Sequence, residues 1–355
     1  MKEDYYTNNE FFASANGYHG FRSYFADVFN SREHTAVYVL KGGPGTGKST
    51  MLKRLCAYCE SARLEYEIFR CSSDPHSLDG IIIRSGNLSV AVLDGTAPHM
   101  RDAEIPGAVD ELINLGGAWK VTYLRDKRDE IIFLNSKKSK AYFEAYLCLK
   151  KSSIFDTNIK AEISSVFNFE ACKAACRKIG EQFSNGAKEG RRVRLISSFS
   201  KFGYCTSDNF FKDRKNLFCV KGVLGSDRLF MNTLVSVLKD AFIPTVLIPS
   251  PLDPDSYEGV IVGDAVITVF EKGELLCDSR SFLLCDALDE LEENLRPMTE
   301  GRDHYMKIAA AELERASEYH FALEDLYTPC MDFDILDQTY AQLLEKIKNI
   351  FQTCG

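Results

Sequence analysis

The stretch VYVLKGGPGTGKSTMLKRL at 37–55 returns about 180 residues later as LFCVKGVLGSDRLFMNTLV at 217–235. Lys41, Gly42, Gly45 and Met51 match Lys221, Gly222, Gly225 and Met231. Three further islands share nearly that spacing: SSDPHSLDGIII (72–83) with SPLDPDSYEGVIV (250–262), AVDELI (108–113) with ALDELE (287–292), and FFAS (11–14) with LISS (195–198). Self-similarity of this kind marks a duplicated unit. The chain is therefore expected to hold two copies of one domain, 1–185 and 186–355. Their joint falls around 180–194, where NGAKEGRR supplies turn and charged residues.

Composition agrees with two folded domains. A chain of 355 residues divides comfortably in two. Its 45% hydrophobic and 26% charged content excludes extensive disorder. No apolar run approaches the ~18 residues of a membrane helix, so no membrane span is expected. The start, MKEDYYTNNEFF, lacks the apolar segment of a secretory signal. The 12 cysteines then read as reduced thiols of a cytoplasmic protein. The net charge of −8 is split unevenly, +2 over residues 1–180 and −10 over the rest, which makes nucleic acid an unlikely partner for the whole chain.

Each copy shows the same coarse order. In the first, a helical lead-in (20–29) precedes an apolar run (36–40), a glycine-rich turn and a helix (48–62). Strands follow at 66–70 and 89–93, separated by a loop containing Asp74-Pro75. Beyond about 105 the pattern is mostly helical, at 141–151 and 161–183, and in the second copy at 281–295, 306–326 and 335–351. The predicted fold class is α/β, a tandem duplication of a P-loop NTPase domain. Each copy has a parallel sheet with flanking helices and a mostly helical C-terminal extension.

The chemistry concentrates in one loop. Gly42, Gly47, Lys48 and Ser49 satisfy G-x-x-x-x-G-K-[ST], after an apolar strand and at the start of a helix. Backbone N–H groups of Gly43, Pro44–Gly47 and the helix start would form an anion nest, proline itself contributing no donor. Lys48 supplies charge for the β- and γ-phosphates, Ser49 a hydroxyl for Mg²⁺, and Thr50 a place near the α-phosphate. Asp94 ends the buried run SVAVLDGT and is the expected second Mg²⁺ group. Lys48 and Asp94 are thus the candidate catalytic residues, and Ser49 and Asp94 the metal pair. Gly95, rather than a second acid, disfavours a helicase or motor and suits a small-molecule kinase. Asp74, Asp79, His99 and Glu104 are the candidates for a base.

The second copy has lost this chemistry. Asp227 stands at the Gly47 position, Arg228 at Lys48, Leu229 at Ser49, and Phe270 near Asp94. An acid in the nest repels phosphate and a leucine cannot ligate Mg²⁺. Arg228 reads as a surface arginine in preference to an arginine finger. Because Asp74-Pro75 recurs as Asp253-Pro254 where the phosphate motif is gone, that loop reads as a structural turn. The pairs Cys56/Cys59 and Cys172/Cys176 read as packing. The basic stretch 120–151, with Tyr142, Phe143 and Tyr146, reads as a solvated or docking face before a phosphate lid or nucleic-acid surface. Trp119, the only tryptophan, lies at its start.

With the glycine-rich loop, SSDPHSLDG, VAVLDGTAPH, PGAVDELINLG and the FFASANGYHGF lead-in, the chain resembles a family of tandem P-loop ATPases from Gram-positive, largely spore-forming bacteria. Its members carry ATPase or nucleotide-kinase labels on motif grounds. The resemblance implies ATP binding and a duplicated P-loop fold but no substrate. The eroded second loop departs from that family's pattern and leaves one nucleotide site per chain. The expected function is Mg·ATP binding with slow hydrolysis in the first copy. The second copy would be a regulatory or partner-binding module. The alternatives are a nucleotide or small-molecule kinase and a non-hydrolysing nucleotide switch. Beyond nucleotide, the expected partner is an unidentified protein or small-molecule acceptor.

Overall fold

The computed structural model describes residues 9–184, 192–212, 214–284 and 288–353. Most of the expected joint, 185–191, lies outside the described residues. The first half opens with β1 (Asn9–Phe12), β2 (Ser14–Gly17), β3 (Gly20–Ser23) and the one-turn α1 (Phe25–Val28). The pattern at 20–29 predicts a helix, but only Phe25–Val28 is helical, and Gly20–Ser23 forms a hairpin with β2 instead. Gly20, at φ 93°, takes a backbone shape that other residues avoid and reverses the chain. Next come β4 (Ala36–Lys41), α2 (Lys48–Ala62), β5 (Glu65–Arg70), β6 (Leu78–Ser85), β7 (Leu88–Asp94) and β8 (Asp110–Asn114). The short α3 (Val121–Asp126), the long α4 (Arg128–Ser165) and α5 (Phe169–Phe183) complete this half.

Its sheet has the order β1-β5-β6-β7-β4-β8. β4 is parallel to β7 and β8, but β6 runs antiparallel to both β5 and β7. The sheet is therefore mixed and not parallel as the sequence pattern predicts. Only Gly86-Asn87 separates β6 from β7, and Gly86 has φ 57°. A two-residue link makes a hairpin, whereas a parallel crossover needs a dozen residues or more.

The second half repeats the path. It comprises β9 (Arg192–Val193), β10 (Ser197–Ser200), β11 (Gly203–Thr206), β12 (Leu217–Lys221), α6 (Ser226–Asp240), β13 (Thr245–Pro249), β14 (Tyr257–Val262), β15 (Ala265–Thr268) and β16 (Glu274–Asp278). Two long helices follow, α7 (Leu288–Tyr327) and α8 (Phe333–Thr353). The sheet order β16-β12-β15-β14-β13-β9 is the first order read backwards, with the same parallel and antiparallel pairings. The duplication is therefore structural. One island of the repeat does not hold. Lys41 faces Asn114 and Lys221 faces Asp278, so β8 corresponds to β16; of the island 287–292, Ala287 lies outside the described residues and the rest opens α7 instead. The helices expected at 281–295 and 306–326 are both served by α7, which carries Pro297 in its interior.

Alternate residues of each strand face opposite cores. Val37 and Val39 of β4 point inward, where the two sheets pack against each other through Phe69, Ile82, Ala91, Leu217, Ile248 and Val266. Tyr38 and Leu40 point outward to α2, and there the halves exchange helices. The outer face of the first sheet and α2 are covered by Leu336, Tyr340, Leu343 and Ile347 of α8, from the end of the chain. The outer face of the second sheet and α6 are covered by Cys172, Cys176 and Ile179 of α5, from the first half. The two buried thiols, 3.9 Å apart, serve this packing. Between the exchanged elements α4 and α7 lie side by side, with Lys151 over Tyr305 and Asp156 beside Arg302. Tyr142 and Tyr146 of the basic stretch turn inward, Tyr146 donating to Asn16, while Phe143 is exposed. No helix among the described residues is long and apolar enough to cross a membrane.

Candidate functional site

The 42–49 loop joins β4 to α2 at the carboxyl end of the strand. Gly47 caps the helix with φ 76°, a left-handed value that lets Thr46 and Gly47 stay outside the helix with their N–H groups available. Lys48 folds back across the loop. Its Nζ donates to the Gly42 and Gly43 carbonyls at 2.7 and 2.9 Å, and Thr46 Oγ1 donates to Gly43 O at 2.9 Å. The same nitrogen makes a longer contact to Thr46 Oγ1 at 3.5 Å, so the three ammonium donors all face the loop. Asp94 Oδ2 lies 3.7 Å from that nitrogen.

Asp94 is brought here because β7 is the immediate neighbour of β4, with Leu40 opposite Asp94. Its Oδ1 accepts from the Thr96 N–H and hydroxyl and closes the turn. Its Oδ2 is the atom facing Lys48. Ser49 Oγ accepts from the Leu78 N–H at 3.1 Å, tying the start of β6 to the loop. Thr50 is exposed, one position further along α2. The loop, Lys48, Ser49 and Asp94 therefore come together.

Of the four candidate bases, two meet beside this cluster. His99 Nε2 is 3.2 Å from Asp79 Oδ2, and both residues are buried. The His99 ring stacks on Phe25 at 4.5 Å. The approach is off the line of a good hydrogen bond, so Asp79 Oδ2 and His99 Nδ1 remain buried polar atoms without one among the described residues. Burial works to lower the pKa of His99, but Asp79 outweighs it and the net shift is upward; Asp94 adds to the rise and Lys48 opposes it. The other two bases lie apart. Asp74 accepts from His76 N and pairs with Lys201 of the second half at 3.4 Å, while half-exposed Glu104 pairs with Arg101. The Asp74 turn thus joins the two halves, and Asp253 likewise faces Lys160 of the first half at 3.8 Å.

The second loop shows how the same backbone loses its nest. There Gly225, at φ 93°, is the helix cap, so α6 begins two residues earlier than α2 does in the repeat. Asp227 is wound into the first turn, its pKa raised by burial although Arg228 and nearby N–H groups favour its charge. Arg228 is partly exposed, as a surface arginine would be, but it is tied into the chain at the rim of a cavity. It donates to Ser250 at 3.2 Å and lies 3.4 Å from fully buried Glu258, which also accepts from Ser197 and Tyr204. The register puts Val269, adjacent to Phe270, opposite the end of β12, where the first half has Asp94. A cavity of about 450 Å³ lies here, lined by Tyr18, Asp227 and Arg228 among others. Its cations are paired within the chain, Arg228 with Glu258, Lys160 with Asp253 and Arg302 with Asp156. These charges are thus spent on one another.

The sequence gives no sign of what covers the 42–49 loop. A Cβ on Gly45 would stand 2.7 Å from Thr328 Oγ1 and 3.2 Å from the Glu324 carbonyl, so the end of α7 rests on the loop. Trp119 lies over Gly43 and packs against Tyr327 at 5.5 Å. Only the helix exchange brings these residues here. No protein-family model matches the chain, and neither a curated protein nor a solved structure matches it.

Proposed function

We propose that the chain is a Mg·ATP-binding P-loop NTPase with one nucleotide site, on the 42–49 loop, and slow hydrolytic turnover. The observation that carries this is Lys48, whose ammonium spans two loop carbonyls at the mouth of a helix N-terminus, 3.7 Å from Asp94. That arrangement suits a phosphate chain: N–H groups and the positive helix end favour the anion, and Lys48 adds charge. Ser49, at the start of α2, and Asp94, at the end of β7, offer hard oxygen donors. They fit a Mg²⁺ that keeps most of its waters, and among the described residues no His/Cys/Asp/Glu group suggests a metal cage. Such an ion, when bound, neutralises charge on the phosphates. We assign Asp79–His99 the proton of the attacking water, with neutral His99 as acceptor and Asp79 orienting it.

Calorimetry with Mg·ATP tests the site. Lys48→Ala is expected to abolish binding and Arg228→Lys to leave it within about twofold. Arg228→Lys is the better control than Arg228→Ala, which would leave Glu258 buried without its cation. Equal loss in both variants would refute a single site on this loop. The kinase alternative is favoured by the Asp79–His99 pair itself, which suits an acceptor hydroxyl as well as water. ADP release that depends on an added acceptor, with transfer of one phosphoryl group, would select it.

A further inference from the structure

The second-half cavity of about 450 Å³ has the size of a small-molecule site, and its wall shows which chemistry would fit. Every cation there already holds an acid of the chain: Lys160 faces Asp253, Arg302 faces Asp156, and Arg228 faces Glu258. Four aspartates stand against these three cations, and buried Glu258 adds a further carboxylate behind Arg228. Asp303 shares Arg302, which leaves Asp227. Among the described residues Asp227 has no cation within ion-pair distance, Arg228 being held by Glu258, and no side-chain hydrogen bond. Its Cβ is 2.8 Å from the place a Cβ on Gly222 would take, so the side chain starts inside the loop. Burial raises its pKa, as expected of a carboxylate short of a counter-ion. Two hydroxyls of the wall are unused as well. Tyr18 and Ser256 are each 6% exposed, yet neither hydroxyl makes a hydrogen bond among the described residues. Both oxygens stay accessible despite this burial, and the cavity is the space that both residues line. Such groups carry a cost unless water or a ligand answers them. Ile159, Ile163, Leu229 and Met306 add apolar wall.

We propose that this cavity binds a small aliphatic amine with one or two positive charges, its cationic nitrogen on Asp227 and its methylene chain against the apolar wall. The Tyr18 and Ser256 oxygens accept the remaining N–H donors. An anion would meet surplus carboxylates and no free cation, and a neutral solute would leave Asp227 without a counter-ion. The loop that once suited phosphate has therefore changed the sign of what it recognises. This site is independent of the nucleotide reading of the 42–49 loop and gives the second half a ligand of its own.

The test titrates the full-length protein by calorimetry with putrescine and agmatine, with neutral butanediol, and with the dianion succinate. Both amines are expected to bind with a Kd below about 1 mM, and butanediol and succinate not to bind. Asp227→Asn, which keeps the size of the side chain, is expected to weaken both amines by about tenfold or more. Tyr18→Phe removes only a hydroxyl and is expected to weaken them about threefold. Thermal melting of both variants checks that they are folded, and either one alone suffices to test the site. Lys48→Ala is expected to bind putrescine as wild type does, which separates this cavity from the first loop. No heat from either amine up to about 10 mM would overturn the proposal. So would succinate binding as well as putrescine, or an affinity within about twofold of wild type in both folded variants. Loss of putrescine binding in Lys48→Ala but not in Asp227→Asn would move the amine to the first loop and refute the assignment.

Discussion

Replacing Leu343 by alanine tests the helix exchange at a single side chain. Leu343 is 1% exposed and lies on α8, yet it packs with Leu52, Leu55 and Cys59 of α2 and with the outer face of the first sheet. Truncating a buried leucine removes its transfer free energy and leaves a cavity, about 3 kcal/mol together. The cost should not be shared evenly, since α6 and the second sheet are covered by α5. Hydrogen exchange resolved by peptide is the suitable assay, because a chain with two sheets need not unfold in one step. Peptides of α2 and β4 are expected to exchange up to about a hundredfold faster in Leu343→Ala, while those of α6 and β12 change little. Since α2 begins at Lys48, phosphate affinity should fall as well. Deprotection confined to 217–262 would mean that α8 covers its own half, and would refute the exchange.

Three further outcomes follow from named contacts. The isolated segment 1–185 lacks α8 and exposes the outer face of α2, so it should aggregate when made alone and stay in solution when made together with 186–355; a well-dispersed, cooperatively melting fragment would contradict this. Burial holds His34 down at about 4, with Nδ1 2.8 Å from Ser89 Oγ. The unfolded chain therefore binds this proton first, and stability falls as pH drops from about 7 towards 4, by about 3 kcal/mol in total. Chemical denaturation at pH 7 and 5 should show that fall in wild type and a smaller one in His34→Gln. Because the His99 pKa is raised, any ATP hydrolysis should increase as pH rises through that titration, and His99→Gln should flatten the profile; an unaltered profile would remove His99 from the proton path.

What a sequence reveals here depends on whether the cause is local. The glycine-rich loop was legible because its needs are local: left-handed glycine at 47, a lysine able to turn back, a hydroxyl next to it. Asp94 was legible because a buried apolar run ends there. The mixed sheet had a local signal too, Gly86-Asn87, a two-residue turn hidden by the uniformly apolar strands on either side. The hairpin at 14–23 was masked by aromatic residues whose spacing imitates a helix. By contrast, the seating of α7 on Gly45 and of α8 on α2 has no local signature. An amphipathic helix declares that one face is buried, not which sheet buries it. The same holds for Arg228: its type suggests a free surface residue, and only Glu258, thirty positions away, ties its partly exposed side chain to the interior.

The exchange also accounts for the survival of a second copy without a phosphate motif. If each half covered its own sheet, a silent copy could be lost without harm to the other. In this chain the first sheet and α2 depend on α8, and the 42–49 loop is overlaid by α7. The second sheet and α6 depend in turn on α5. The hairpins repeat the pattern: Tyr18 N donates to Leu252 O across the halves, and Ser198 Oγ donates to Ser72 O in return. Selection on the first loop therefore acts on the second half as a scaffold, while its own loop is free to change. Gly47 to Asp227 is a change that scaffold tolerates, because the helix simply starts two residues sooner and takes the acid into its first turn. Loss of the glycine-lysine motif in one copy thus costs the fold little, whereas loss of that copy would strip the helix on which Lys48 stands.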